Sequence, residues 1–180
     1  MPQENQNSFL TRATRCLFFK SEAYEEVEHD ESAIKQALIL ILVSGTAFGL
    51  YQSYLYFEEY SPAIVLVSVI FGMLRWALFA WIAYFVGTRI FRTDETEADW
   101  GQLARTLGFA NTPSILFFGV FFFSLETMES IAIVAVIWLA ITSFIAIRQA
   151  LELTNMRALG TTLVSNSLIN LFLVIFQNIL

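Results

Sequence analysis

Five apolar runs dominate this chain, at about 37–57, 62–91, 107–125, 131–147 and 160–180. A helix that crosses a ~30 Å hydrocarbon core needs about 20 residues, so each run is read as one membrane span. Polar breaks separate them: "EEYSP" (58–62), "RTDETEADW" (92–100), "ETMES" (126–130) and "RQALELTNMRALG" (148–160). Charged residues make up 14% of the chain and hydrophobic ones 57%. A typical soluble chain carries about 25% charged residues, so this one has too few to cover a water-soluble fold. The expected fold class is an all-α integral membrane protein with five transmembrane helices. The third span opens with Gly108, Asn111 and Pro113, so its start is expected to be irregular or kinked there.

The basic residues orient the spans. Arg12, Arg15, Lys20 and Lys35 precede the first. Arg89, Arg92 and Arg105 fall around the second break, and Arg148 and Arg157 in the fourth. The first and third breaks hold none. With five spans all three basic regions face one side, which the positive-inside rule makes cytoplasmic. The N-terminus is therefore expected inside, and the natural location is a bacterial cytoplasmic membrane. Nine of the ten basic residues obey this pattern, and the exception is Arg75.

Residues 1–36 read as a cytoplasmic tail, and 37–180 as the membrane domain. Phe9, Ala13, Cys16 and Leu17 share a helical face, with Arg12 and Arg15 off it. That pattern suggests a short amphipathic helix lying on the membrane surface. "EAYEEVEHDES" (22–32) reads as a solvated acidic connector. In it, His29 lies near Glu25 and Glu26, a weaker motif for a cation than for a solvated face, and no metal site is expected. Cys16 excludes an internal disulfide; it is a candidate for lipidation, although a small apolar contact is the simpler role.

Arg75 stands in "FGMLRWALFAW" (71–81), about 20 Å from either end of its span at 1.5 Å per residue. A midplane arginine costs at least ~2.5–3.5 kcal/mol and normally has partners inside the bundle. No Asp or Glu lies within a span. The neutral candidates are Thr162, Asn166, Asn170 and Gln177, which fall within about 40° of one helical direction, and Trp138, midway along the fourth span. Arg75 reads first as a packing clamp, then as a residue that snorkels outward, then as a site for an anion, lipid head group or solute. Gly45, Gly49 and Ser53 form a small-residue face for close helix packing, within the chain in preference to homodimerisation.

"ADWGQLARTLGFANTPSILFFG" (98–119) and "VAVIWLAITSFIAIRQALELTNMRAL" (134–159) resemble the Yip family of Ypt/Rab-interacting membrane proteins, in the compact prokaryotic form. The matching positions are Leu107, Gly108, Phe109, Ala110, Pro113, Trp138, Arg148, Arg157, Ala158 and Leu159. The resemblance implies a five-span fold. It does not imply a Rab GTPase partner, because the Asp-Leu-Tyr-Gly-Pro motif and long N-terminal region of eukaryotic members are missing.

His-Glu-x-x-His, Gly-x-Ser-x-Gly and phosphate-loop signatures are absent. The expected function is non-catalytic and needs no cofactor: a scaffold, assembly factor or small structural subunit. Its expected partners are membrane lipids and other membrane subunits, or a second copy, and not nucleic acid. The alternative is a transport or lipid-binding protein built on the polar cluster around Arg75.

Overall fold

A computed structural model of the chain describes residues 8–57, 59–92 and 98–179, with the side chains of 176, 177 and 179 left aside. Among these residues there are seven α-helices and one 3-10 segment, and no strand. The helices are α1 (Phe9–Leu17), α2 (Ser21–His29), α3 (Ala33–Phe57), α4 (Pro62–Arg89), α5 (Trp100–Ala110), α6 (Leu125–Ala150) and α7 (Asn155–Ile179). The 3-10 segment, Thr112–Phe121, lies between α5 and α6.

Local chemistry sets several boundaries. Ser8 and Ser124 cap α1 and α6 by accepting backbone N–H bonds from Thr11 and Thr127. Asp99 and Gln102 form a reciprocal capping box at the start of α5, which satisfies two otherwise orphaned donors. Pro62 opens α4, where its missing N–H costs nothing. Asn111 ends α5, and Pro113 then stands in the first turn of the 3-10 segment. Two non-glycine residues take left-handed backbone conformations, Phe19 (φ 64°) and Glu152 (φ 49°), each in a tight turn between helices. Such values are uncommon outside glycine and mark turns held by their surroundings.

Four helices are long and apolar enough to cross a membrane: α3, α4, α6, and Asn155–Ile175 of α7. They correspond to four of the expected spans; α3, α6 and α7 are longer than expected, and α4 ends two residues earlier. The "ETMES" break lies in the first turns of α6, and most of "RQALELTNMRALG" is helical, leaving only 151–154 as a turn. The expected third span is two pieces, α5 and the 3-10 segment, instead of one helix. The pyrrolidine ring at Pro113 supplies no N–H and blocks a continuous α-helical ladder.

The tail differs most from expectation. The boundary at residue 36 falls inside α3, and α1 and α2 fold back onto α5 and α6. The acidic stretch is not a solvated connector, since Ala23, Tyr24, Val27 and Glu28 are buried. Nor is α1 an isolated surface helix: Ala13 and Cys16 are buried and Phe9 meets Phe109 edge to face at 6.3 Å, while Leu10, Phe18 and Phe19 remain exposed.

The consecutive helices α3 and α4 lie antiparallel. Gly45 and Gly49 face the α4 backbone so closely that a Cβ on either would lie 2.8 Å from the Cα of Val69 or Val65. Ser53 ties the connection, donating to the Glu59 carbonyl and accepting from the Ser61 N–H, both at 2.6 Å. The small-residue face thus serves packing within the chain. In lipid, close backbone approach replaces much of the hydrophobic driving force. Gly49→Ala is therefore expected to lower stability by about 1–3 kcal/mol, read as a lower thermal midpoint in mild detergent; an unchanged midpoint would contradict this packing.

Candidate functional site

The densest polar arrangement is the seam between the N-terminal helices and α5. The Arg12 guanidinium meets Asp30 at 2.5 Å, and Arg15 donates to both carboxylate oxygens of Glu26 at 2.8 Å. The Tyr24 hydroxyl donates to the Cys16 carbonyl at 3.1 Å. Arg105, 8% exposed, reaches across from α5 to donate to the backbone carbonyl of Glu28. Ser32 and Arg12 hold Asp30 below the usual carboxylate range, the Ser32 bond being the larger cause. Cys16 is fully buried, and burial pushes its thiol up to about 12. That leaves it neither exposed nor nucleophilic enough for ready acylation, so its role is apolar contact.

Glu28 is the unusual member. It is 4% exposed, and Arg105 binds its main chain, not its carboxyl. Burial pushes the Glu28 carboxyl from 4.5 to about 7; Glu152 and Glu25 add to the shift, and His29 and Arg105 oppose it. His29 itself is exposed and bonded through Nδ1 to the Glu25 carbonyl at 2.9 Å. Among the described residues, no group of three or more His, Cys, Asp or Glu side chains is placed to hold a metal.

The expected polar cluster in the membrane does not assemble. Arg75 is exposed on the outside of α4 instead of facing the interior, and no hydrogen bond or ion pair joins it to another described residue. Trp138 does not cover a guanidinium. Its indole N–H donates to the Leu17 carbonyl at 2.8 Å, and its ring meets Phe18 and Phe19 at 6.2 and 5.9 Å. Asn166 donates to Thr162 within its own helix at 2.9 Å. Thr162 is buried and bonds to the Ala158 carbonyl, whereas Asn170 is exposed. The Gln177 side chain lies outside the described residues.

A chain of lateral contacts links the middle of α4 to the N-terminal helices. Next to Arg75, buried Trp76 donates its indole N–H to the Ala104 carbonyl at 3.1 Å and meets Trp100 at 6.3 Å. The residue after Ala104 is Arg105, which bonds to Glu28 in charged α2. Arg75 thus neighbours a residue that is tied through α5 to α2, whose Glu25 and His29 are exposed. Sequence spacing carries no signal of relative height between helices, so it could not have found Arg105, Glu28 or the Leu17 carbonyl as partners.

The remaining expected residues have structural roles. Gly108 packs against Ala37 of α3, where a side chain would collide. Phe109 is fully buried. Asn111 donates to the Leu107 carbonyl at 2.8 Å, and its own carbonyl accepts from Ser44 at 3.2 Å. Arg148 donates to Asn155 at 3.3 Å, and Arg157 donates to the Arg92 carbonyl. Two basic breaks thus meet at one end of the bundle.

Long apolar helices joined by short turns define a multi-pass α-helical membrane protein. The profile of the Yip1 domain matches residues 14–177, which includes α2, α5 and every long helix. The chain belongs to the Yip1 domain family. No curated protein and no solved structure matches it.

The Glu28 carboxyl carries a pH dependence with a definite sign. Between about 4.5 and about 7 the folded protein keeps a proton that the unfolded chain has lost. Stability contributed by the neutral carboxyl is complete below 4.5 and is lost as pH rises through about 7. Thermal unfolding across this window should show a fall of about 1–2 kcal/mol, after allowance for solvent screening. Glu28→Gln should flatten that slope; a slope that persists unchanged would assign it to another group.

Proposed function

We propose that this protein is a non-catalytic scaffold or assembly factor that holds other membrane subunits in a bacterial cytoplasmic membrane. The observation that carries this reading is the division of polar chemistry. Buried polar groups are spent on joining the chain's own helices, as with Arg105 to Glu28 and Trp138 to Leu17, while the outer faces of α4, α6 and α7 remain broad and apolar. A transport or lipid-handling site built on Arg75, Trp138 and the asparagine stripe finds no support in their separate partners.

Five crossings with the N-terminus inside agree best with the chain path. The α5 and 3-10 pieces start beside Trp76 and end where Phe121 stacks on Tyr60 at 5.4 Å, near the α3–α4 turn. Measured along α4, these two contacts lie about 21 Å apart, so the pieces carry the chain from the middle of the bundle to its α3–α4 end. The basic residues gather at the opposite end, where Arg157 meets Arg92. A cysteine at position 124 is expected to react with a membrane-impermeant maleimide in intact cells, and one at position 154 only after permeabilisation. The reverse pattern would invert the orientation, and equal labelling would break the five-span count.

Affinity purification of the full chain from its native membrane in mild detergent should give stoichiometric membrane-protein partners by native mass spectrometry. A lone chain that carries a specific retained solute would overturn the scaffold reading in favour of a carrier.

A further inference from the structure

The turn that joins α1 to α2 carries two exposed phenylalanines, Phe18 and Phe19. Their rings lie 6.2 and 5.9 Å from the ring of Trp138, and the Leu17 carbonyl accepts the Trp138 indole N–H at 2.8 Å. The tip of the hairpin is therefore seated on the middle of α6. We propose that this tip is inserted among lipid acyl chains, so that the α1–α2 hairpin enters the hydrocarbon core instead of resting on the membrane surface. The proposal goes beyond the scaffold reading and does not depend on it.

Four observations select lipid as the occupant. The first is depth, which follows from α6 alone. Its 26 residues extend about 38 Å, against a core of ~30 Å, so α6 can slide by only about 8 Å while still crossing. Trp138 is about 18 Å or more from either end of α6. At every allowed placement it lies at least about 10 Å inside the core. Phe18 and Phe19 are within one ring contact of that depth. The second is continuity. Val134, Ile137 and Ile141 lie within about 100° of Trp138 around the helix, and all three are exposed. The two phenylalanines extend this apolar face.

The third observation is the backbone. A bilayer offers no water to an unpaired N–H. Here the N–H groups of Phe18, Phe19 and Lys20 donate to the carbonyls of Thr14, Cys16 and Arg15 at 3.1, 3.1 and 3.0 Å. The fourth is that Phe19 holds a left-handed backbone, with φ at 64°. Glycine would take this conformation without strain, and a strained residue that persists points to a use for its side chain. Charge is arranged to suit. The Arg12–Asp30 pair is at the base of the hairpin, and Glu28 is near enough to Glu152, in the turn after α6, for their charges to interact. The exposed charges that follow the rings, Lys20 and Glu22, are opposite in sign. The lysine stem also lets its ammonium reach toward the head groups.

The test places a nitroxide on single cysteines in the full chain, with Cys16→Ala, in phosphatidylcholine vesicles. Relaxation by oxygen, which concentrates among acyl chains, is compared with relaxation by a water-soluble nickel chelate. A label on Phe19→Cys should be relaxed by oxygen and shielded from nickel, at a depth within about 5 Å of one on Ile137→Cys. A label on Thr154→Cys should show the reverse. With the label on Lys20→Cys, adding Phe18→Asp should raise nickel collisions about tenfold, because a carboxylate at that depth is expelled. Phe18→Leu should leave them unchanged.

A Phe19→Cys label that nickel reaches as readily as the Thr154→Cys label overturns the proposal. So does one reached by neither reagent, which assigns the tip to a protein contact. A nickel-accessible label on Ile137→Cys removes α6 as a span and the proposal with it. Absence of native partners would remove the scaffold reading and leave the depth measurement unmoved.

Discussion

The bond from Arg105 to the Glu28 carbonyl fixes how the polar and apolar parts of this chain meet. It brings a guanidinium from the middle of α5 to the end of α2, and both groups are nearly sealed from solvent. A buried guanidinium without an acceptor would be costly, so α2 is bound to the place where its carbonyl is needed. Once α2 is fixed there, α1 follows through Arg12 to Asp30 and Arg15 to Glu26. The helical hairpin then becomes part of the bundle and not an appendage.

That attachment changes the meaning of depth. The hairpin sets charged side chains beside α5 and α6, so distance along an apolar helix does not by itself tell what surrounds a residue. Trp138 stands at the centre of an apolar helix when α6 is considered alone. Beside the hairpin it is a tryptophan with a satisfied indole, bonded to the Leu17 carbonyl and flanked by Phe18 and Phe19. Arg75 changes too, from an expected interior clamp to a residue exposed on the outside of α4.

Much of the fold was legible in the sequence because membrane crossing is a length-and-composition problem. The four long helices, the break at Asn111 and Pro113, and the intrachain use of Gly45 and Gly49 all follow from local chemistry. The burial of Tyr24, Val27 and Glu28 did not, because "EAYEEVEHDES" has the composition of a solvated helix and its apolar side is only three or four residues wide. The supposed cluster of Arg75, Trp138, Asn166 and Asn170 failed for a related reason. Equal distance from helix ends does not make side chains face one another: Arg75 and Asn170 are exposed, and Trp138 turns to Leu17. Asn166 also found the carbonyl of Thr162 in its own helix, an acceptor that periodicity never weighs.

The 3-10 segment carries a consequence for how the chain tolerates change. Its buried positions, Pro113, Ser114, Phe117 and Val120, fall almost entirely on a three-residue repeat, because side chains three apart eclipse one another in this coil. This strip is the most deeply buried edge that α3 and α6 meet, with Leu116 and Phe118 packed beside it. Sequence drift should be freest at exposed Ile115. A single inserted residue, by contrast, would turn the whole strip by a third of a revolution and present the wrong edge to both neighbours. The stretched coil thus trades tolerance of length for tolerance of identity.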